Sequence, residues 1–480
     1  MEEGAEVQQA PQESKIIPFP LEKVTPLPSE KADPFIPHER PADLQTLDFL
    51  LWLPKGRNGF RFETDQALTK EPHALSDDIK AAMKARTAGQ MKFEHGDLAK
   101  AALDAYRANP TEENKKAYED ARVEYLSKAT PKVGMRNLRL IGDVMKIDTK
   151  PVSFQANSVM APIKSTPENL EDGVGSATSG NVIFARDRFG GERRLGLMKR
   201  NKRNNRWRNV AGALIAGYFD GSYHEDPSKL SPKQGRRTLN EINNKAIFGN
   251  GYKELHEEIG IEEKDVKKSK VVGLAVEKAD RVHHEILMDV ELKLTAAQAK
   301  EKSKQHHIDD KEEFEEDWID IECSPEAIMT LLTKMISPLP TGHLAAFAAT
   351  GRALVAERDG EKAADEYMRK LSLGILENND RINGIVRDYI RNNPEVLTHP
   401  TADQLNTIEI QTKEYKEKNP TATEEEVFNF AQKLIDNRAK FNPDGFNPAL
   451  LPEEQGLPDL DTALAMVGLT GQAQQMAKAA

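Results

Sequence analysis

An α+β chain is predicted, with a central unit of strands and helices between mainly helical N- and C-terminal regions. Three observations predict it. Short apolar runs bounded by turn residues gather in the middle third of the chain. Alanine-, lysine- and glutamate-rich segments with apolar residues near helical spacing lie on both sides of it. Stretches rich in proline, or in glycine and serine, separate these parts. With 480 residues the chain exceeds what one ordinary core supports, so two or three folded units are expected.

Residues 1–43 carry Pro18, Pro20, Pro26, Pro28, Pro34, Pro37 and Pro41 among charges. Proline fixes φ and removes a donor, so this part reads as a disordered, proline-rich arm. Residues 44–177 read as a mixed, largely helical region. It opens with the apolar run LQTLDFLLWLPK, and helical composition extends from Ser76 to about Ala129. Asn109-Pro110 breaks that segment into two helices, and Thr111 with Glu113 supplies a start signal for the second. The segment 164–180, rich in glycine, serine and threonine, reads as a linker. The central unit spans 178–350. Asn181–Ala185 and Arg194–Met198 read as strands separated by the turn Phe189-Gly190-Gly191; Val271–Leu274 and His284–Leu292 read as two more. Residues 351–440 read as helical, interrupted at Asn393-Pro394 and His399-Pro400. Thr421–Glu426 has the composition of a helix N-terminus. Residues 441–480 read as an irregular tail with a weak last helix after Asp461.

The net charge of −11 argues against a general nucleic-acid binder, which needs a basic surface to displace counterions. A small anionic substrate is compatible with it, because a bound metal reverses the field in one pocket. The single cysteine, Cys323, cannot form an internal disulfide and has no obvious base beside it. No apolar run approaches the ~20 residues that span a bilayer. The N-terminus lacks a basic, then apolar, secretory signal. A cytoplasmic location without membrane association is expected, with secretion that uses no cleaved apolar signal as the alternative.

The chemistry-bearing feature is a run of carboxylates. Glu254, Glu257 and Glu258 stand at i, i+3 and i+4. That spacing puts them on one helical face, where like charges repel by a few tenths of a kcal/mol per pair. A solvated acidic face is the bland reading; a hard divalent cation would remove the repulsion. The segment Lys253-Glu254-Leu255-His256-Glu257-Glu258-Ile259-Gly260-Ile261 resembles the second half of the Nudix box, G-x5-E-x7-R-E-U-x-E-E-x-G-U with U aliphatic, with Lys253 in the arginine place. Upstream, Trp207–Tyr218 looks like the family's W-x-x-P-G-G-x-x-x-x-G-E stretch. Gly212 and Gly217 keep their places, while Val210, Ala211 and Tyr218 replace a proline, a glycine and a glutamate. The gap to Lys253 implies an insertion between about Phe219 and Asn250. A second alignment uses Gly235 and Glu241 as the first half of the box. Downstream, Glu312–Ile321 resembles the family's acidic stretch before a tryptophan-bearing strand, and Ser324–Ile328 the start of its closing helix.

The resemblance implies an α/β/α sandwich on a mixed sheet over roughly 180–350. It also implies a hydrolase that cleaves the pyrophosphate bond of a nucleoside diphosphate linked to another moiety, with Mg²⁺ or Mn²⁺ as cofactor. Glu254, Glu257, Glu258 and the Gly212 carbonyl would hold the metal, and Lys253 would orient a carboxylate. Glu241, Glu312, Glu313, Glu315 or Glu316 would add a further carboxylate. Arg200, Trp207 and Tyr218 are candidate substrate contacts; for the basic run 198–208 a solvated hairpin is the competing reading, and for Trp207 a core position. The neighbours His283-His284 and His306-His307 are not expected to chelate, since adjacent strand residues face opposite ways. Residues 262–323 contain neither the proline nor the tyrosine that mark two of the family's substrate subgroups. The helical flanks are candidates for a protein partner. The competing class is a catalytically silent Nudix-like nucleotide-binding or scaffold protein, motivated by Val210, Ala211, Tyr218 and Lys253.

Overall fold

The sheet is built around one long strand. In the computed structural model, which describes residues 49–54, 61–67, 80–81, 97–128, 131–141, 144–153, 175–200, 207–212, 215–221, 242–277, 283–310, 314–397, 402–439, 445–448 and 450–469, that strand is β5 (Gly175–Arg186). It is preceded by β1 (Phe49–Trp52), β2 (Arg61–Ala67), helices α1 (Asp97–Ala108) and α2 (Glu112–Lys128), and strands β3 (Pro131–Ile141) and β4 (Val144–Ser153). After it come β6 (Arg193–Arg200), β7 (Ala211–Gly212), β8 (Ile215–Tyr218), α3 (Asn244–Ile259), β9 (Val266–Glu277), β10 (His283–Thr295), α4 (Ala296–Asp310) and β11 (Phe314–Glu322). The chain continues through α5 (Pro325–Lys334), α6 (Thr341–Asp359), α7 (Glu361–Asn392), α8 (Ala402–Lys418), α9 (Glu424–Ala439) and α10 (Leu460–Met466).

The protein is thus mixed α/β with a mixed sheet. One edge of β5 is covered along its length by the parallel strand β10. The other edge is shared by three antiparallel partners in succession: β3 at Gly175 and Ser176, β8 from Thr178 to Asn181, and β6 from Phe184 to Arg186. Beyond β10 lie β9 and then β1, and beyond β3 lie β4 and then β2. Side chains of β5 alternate between two helical layers, as strand geometry requires. Val182 and Phe184 enter a core formed with α5, α6, α7 and α10. Ile183 and Ala185 enter another with Leu255 and Ile259 of α3 and Ala299 of α4. A further core joins α3 to β2, β3 and β4 through Ile247, Phe62, Val133, Met135, Met145 and Ile147.

Two readings of the sequence change. Strands β1–β4 of the mixed region 44–177 belong to the central sheet, and the boundary at 177/178 falls inside β5. Residues 175–180, read as the end of a linker, are its first half, with Ala177–Gly180 buried. Their small side chains carry the glycine and serine signal of a loop, yet small residues are also what a strand needs where a helix lies close on it. The N- and C-terminal helices meet: Arg107 of α1 pairs with Glu426 of α9 at 3.6 Å. The proline-rich arm 1–43 lies outside the described residues. Among the described residues no helix is long and apolar enough to cross a membrane.

Candidate functional site

The acidic segment forms the last turns of α3. Asn243 caps the start of that helix, its side chain accepting the Ala246 N–H at 3.0 Å. Gly260 ends it at φ 66°, a left-handed conformation that suits glycine, with its N–H donating to the His256 carbonyl. Ile247, Gly251, Leu255 and Ile259 are buried along one row toward the sheet. Glu254 stands beside that row and is only 7% exposed, unusual for a carboxylate.

Two asparagine side chains fasten α3 to the sheet. Asn250 Nδ2 donates to Ser179 Oγ at 2.8 Å and to the Gly217 carbonyl at 3.0 Å. Asn181 Nδ2 donates to the Ile215 and Gly251 carbonyls at 2.9 and 3.1 Å. Asn250 precedes Glu254 by one helical turn, so the same contacts bring Glu254 down onto β8. The cradle there is Gly217: a methyl group added to its Cα would overlap the carboxyl carbon and both oxygens of Glu254.

Around Glu254 the charges alternate. Lys253 Nζ donates to Glu254 Oε1 at 2.9 Å, and it lies 3.3 Å from Glu257 Oε2 and 3.7 Å from Asp220 Oδ2. The other Asp220 oxygen accepts from Lys132 Nζ at 2.7 Å, and the Lys132 ammonium stands 5.9 Å from the Tyr218 ring centre. Burial pushes the Glu254 carboxyl above its usual value, and the pull of Lys253 offsets this only in part. Burial pushes the Lys253 ammonium down, but Glu254, Asp220 and Glu257 outweigh it and hold it above its usual value.

The structure therefore brings together Lys253, Glu254 and Glu257, with Glu258 half-buried next along the helix. It places Gly217, not Gly212, against Glu254. Gly212 lies instead beside the Met198 carbonyl and the Arg200 and His343 side chains. Trp207 has a left-handed backbone (φ 56°), stacks on Phe446 at 5.7 Å and donates its N–H to the Pro448 carbonyl. It is tied to the C-terminal segment. Glu241, Glu312 and Glu313 lie outside the described residues, as do the side chains of Glu315 and Glu316 in β11. His306 Nε2 lies 2.9 Å from the Glu257 carbonyl, and its ring is 6.1 Å from that of His256. Burial pushes the Cys323 thiol up to about 11, which makes it a poor nucleophile.

No protein-family model and no curated protein matches this sequence.

Residues that sequence reasoning missed are Asp220, Lys132, Asn250 and Ser179. Asp220 lies two residues past Tyr218 and is reachable in hindsight from that spacing. Lys132 lies 88 positions from its partner and has no local signal at all.

The donors can be tested against a divalent cation. Mg²⁺ and Mn²⁺ take oxygen ligands, and Glu254, Glu257 and Asp220 present carboxylate oxygens from two elements around one point. The cation at that point is the Lys253 ammonium. Among the described residues no three His, Cys, Asp or Glu side chains already stand together as a metal-binding group. Carboxylate oxygens are the donor type a hard cation takes, and the Lys253 ammonium holds the point between them.

Proposed function

We propose that the chain is a divalent-metal-dependent hydrolase that cleaves the pyrophosphate bond of a nucleoside diphosphate linked to another moiety. The observation that carries this reading is the buried Glu254, held on Gly217 and sharing one cation with Glu257 and Asp220. Burying a carboxylate costs several kcal/mol unless it is paired, so the buried Glu254, with the part-exposed Asp220 and the exposed Glu257 beside it, is arranged for positive charge. The resemblance of residues 253–261 to the Nudix box supports the same reading, as do the mixed sheet and the helices on its two faces. A Nudix-like sandwich is part of the proposal, its sheet extended by β1–β4 beyond the 178–350 span read from the sequence.

Glu254, Glu257 and Glu258 would hold Mg²⁺ or Mn²⁺, with Asp220 as a neighbouring carboxylate. When bound, the metal neutralises phosphate oxygens and makes water a better nucleophile at neutral pH. The protein's own residues do the rest. Asn250 and Asn181 hold the helix at its distance from β8; Lys253 would give up its place between Glu254 and Glu257 to the metal and orient a neighbouring carboxylate as a point charge. A cytoplasmic location and a protein partner on the helical flanks belong to the same proposal.

The test is product analysis with a panel of nucleoside diphosphate derivatives, with and without Mg²⁺ or Mn²⁺. Metal-dependent phosphate-ester products that fall at least ~10²-fold in Glu257→Gln are expected. Turnover that persists undiminished in the Glu257→Gln, Glu258→Gln double variant removes the metal from this helix. One observation favours a second reading, a catalytically silent binding or scaffold domain: Lys253 already neutralises part of the acidic cluster. Under that reading the same panel gives no turnover, and calorimetry gives no metal binding.

A further inference from the structure

At the far end of β5 two arginines stand directly opposite each other across a strand pair, Arg186 on β5 and Arg193 on β6. Like charges so placed repel. They lie on the sheet face that packs against α5, α6 and α7, because the Arg193 guanidinium sits over the Phe184 ring, 4.6 Å from its centre. The helix that carries Glu254 packs on the opposite face. Along β5, Arg186 lies about 23 Å beyond Ser179, the residue to which Asn250 of that helix is bonded. The arginine pair is therefore separate from the acidic turn of α3.

One carboxylate serves this corner. Glu291 of β10 lies opposite Phe184 in the parallel pair with β5. Lys267 Nζ donates to its Oε1 at 2.8 Å, and Arg186 Nη2 lies 3.7 Å from the same oxygen. Burial pushes the Glu291 carboxyl up, but the Lys267 bond and the charges of Arg193, Lys267 and Arg186 outweigh it and hold it below its usual value. Asp289, further along β10, is taken by Thr350 Oγ1 at 2.6 Å and stands opposite Lys270 of β9. Arg186 Nη1 donates to the Gly191 carbonyl at 2.6 Å. Arg193 is left over. Its side chain is half-buried, and its Nε is shielded from solvent without a hydrogen-bond partner. Among the described residues no carboxylate lies within ion-pair distance of it. The next residue, Arg194, points to the other face and is paired with Asp320 at 2.9 Å. A guanidinium N–H buried without an acceptor loses its hydration and gains nothing in return.

We propose that Arg193, with Arg186 and Lys267 at its rim, binds the phosphate group of a small phosphomonoester or phosphate itself. The fork of Arg193 presents donors in the geometry that phosphate oxygens accept. The Phe184 ring beneath it holds the guanidinium in place by cation–π attraction. On this face Arg186, Arg193 and Lys267 share the single charge of Glu291, while Asp289 and Lys270 offset each other, so the surplus suits a dianion. A bound anion also relieves the repulsion between the opposed arginines. Nothing in this site depends on a metal at α3.

The experiment is calorimetric titration of the full chain with sodium phosphate and, separately, with adenosine monophosphate, at constant ionic strength set with chloride. Wild type is expected to bind phosphate. Arg193→Met keeps an apolar stem over Phe184 and is expected to bind at least about tenfold more weakly. Glu291→Gln is expected to bind at least as tightly as wild type, because it frees Arg186 and Lys267. Arg194→Gln, on the other face, is the control and stays within about twofold of wild type. Thermal melts give a second readout: phosphate raises Tm in wild type and not in Arg193→Met. Should Arg193→Met fail to fold, Arg186→Gln carries the same expectation of weaker binding. Tighter binding of the mononucleotide than of phosphate, lost in the same variants, assigns the site to a phosphomonoester; equal or weaker binding assigns it to free phosphate. The proposal is overturned if wild type binds no phosphate, if Arg193→Met binds as wild type does, if Glu291→Gln binds more weakly, or if acetate binds as tightly as phosphate.

Discussion

Replacing Gly217 by alanine separates the two glycines that the box-like sequence offers. The backbone of Gly217 lies directly under the Glu254 carboxyl, and an added methyl would overlap the carboxyl carbon and both oxygens. Van der Waals contact then requires the carboxyl to retreat by at least about 1 Å. The carboxyl is the far end of a flexible chain, so the fold can yield: overpacking of this kind costs about 1–3 kcal/mol. The site cannot yield as easily, because retreat breaks the 2.9 Å bond to Lys253 and moves the carboxylate off its place. A misplacement of about 1 Å costs on the order of 10²-fold in rate. The matched control is Gly212→Ala, whose methyl would come to 3.0 Å of the Met198 carbonyl and 3.6 Å of the Arg200 and His343 side chains. That contact asks the strand backbone to give by a few tenths of an ångström, far less than the overlap at Gly217. The assay is kcat/KM with Mg²⁺ for both variants beside their thermal melts. A loss of about 10²-fold for Gly217→Ala with a change under about fivefold for Gly212→Ala is expected. Full activity in Gly217→Ala with loss in Gly212→Ala would refute the placement of Glu254 and return the role to the Gly212 carbonyl.

The other predictions concern parts of the fold around that site. Burial, with a smaller push from Arg200, lowers the His343 ring to about 3. The folded state then binds fewer protons than the unfolded one between about pH 3 and 6.5, so stability falls as pH drops through that window. From pH 7 to 4.5 the loss is on the order of 3 kcal/mol, and urea unfolding of His343→Leu should show a correspondingly smaller acid sensitivity. Asp289 has the opposite sign. Burial raises it to about 6 despite the 2.6 Å bond from Thr350 Oγ1. Its ionisation therefore destabilises the fold as pH rises from about 4 to 6, and Asp289→Asn should be the more stable protein at pH 7, by up to about 3 kcal/mol, and indistinguishable near pH 4. Thr423→Ala removes a reciprocal cap at the start of α9, in which Thr423 Oγ1 accepts the Glu426 N–H and Glu426 Oε2 accepts the Thr423 N–H. Hydrogen exchange should show the first turn of α9 opening more easily by about 1 kcal/mol.

Local signals in the sequence reached their targets where the physics is local. Asn109-Pro110 separates α1 from α2, and Thr111 Oγ1 accepts the Asn114 N–H at the new start. Ser324 caps α5 through the Ala327 N–H. The strands around Phe184, Leu195, Val272 and Leu287 were legible because apolar β-rich runs between turn residues leave few other conformations. Loop-like composition misled at 175–180, where glycine and serine serve close packing.

The sequence by itself determined the acidic face of α3: the spacing of Glu254, Glu257 and Glu258 and the glycine stop at Gly260 follow from helical geometry alone. Only the tertiary structure decided which glycine that face rests on and which groups share its charge. Gly217 reaches Glu254, and Asp220, held by Lys132, reaches Lys253, through strand pairing across β3, β5 and β8. Partners chosen by pairing leave no periodic mark near the residues they serve, because the contact depends on register between distant segments and not on spacing along the chain.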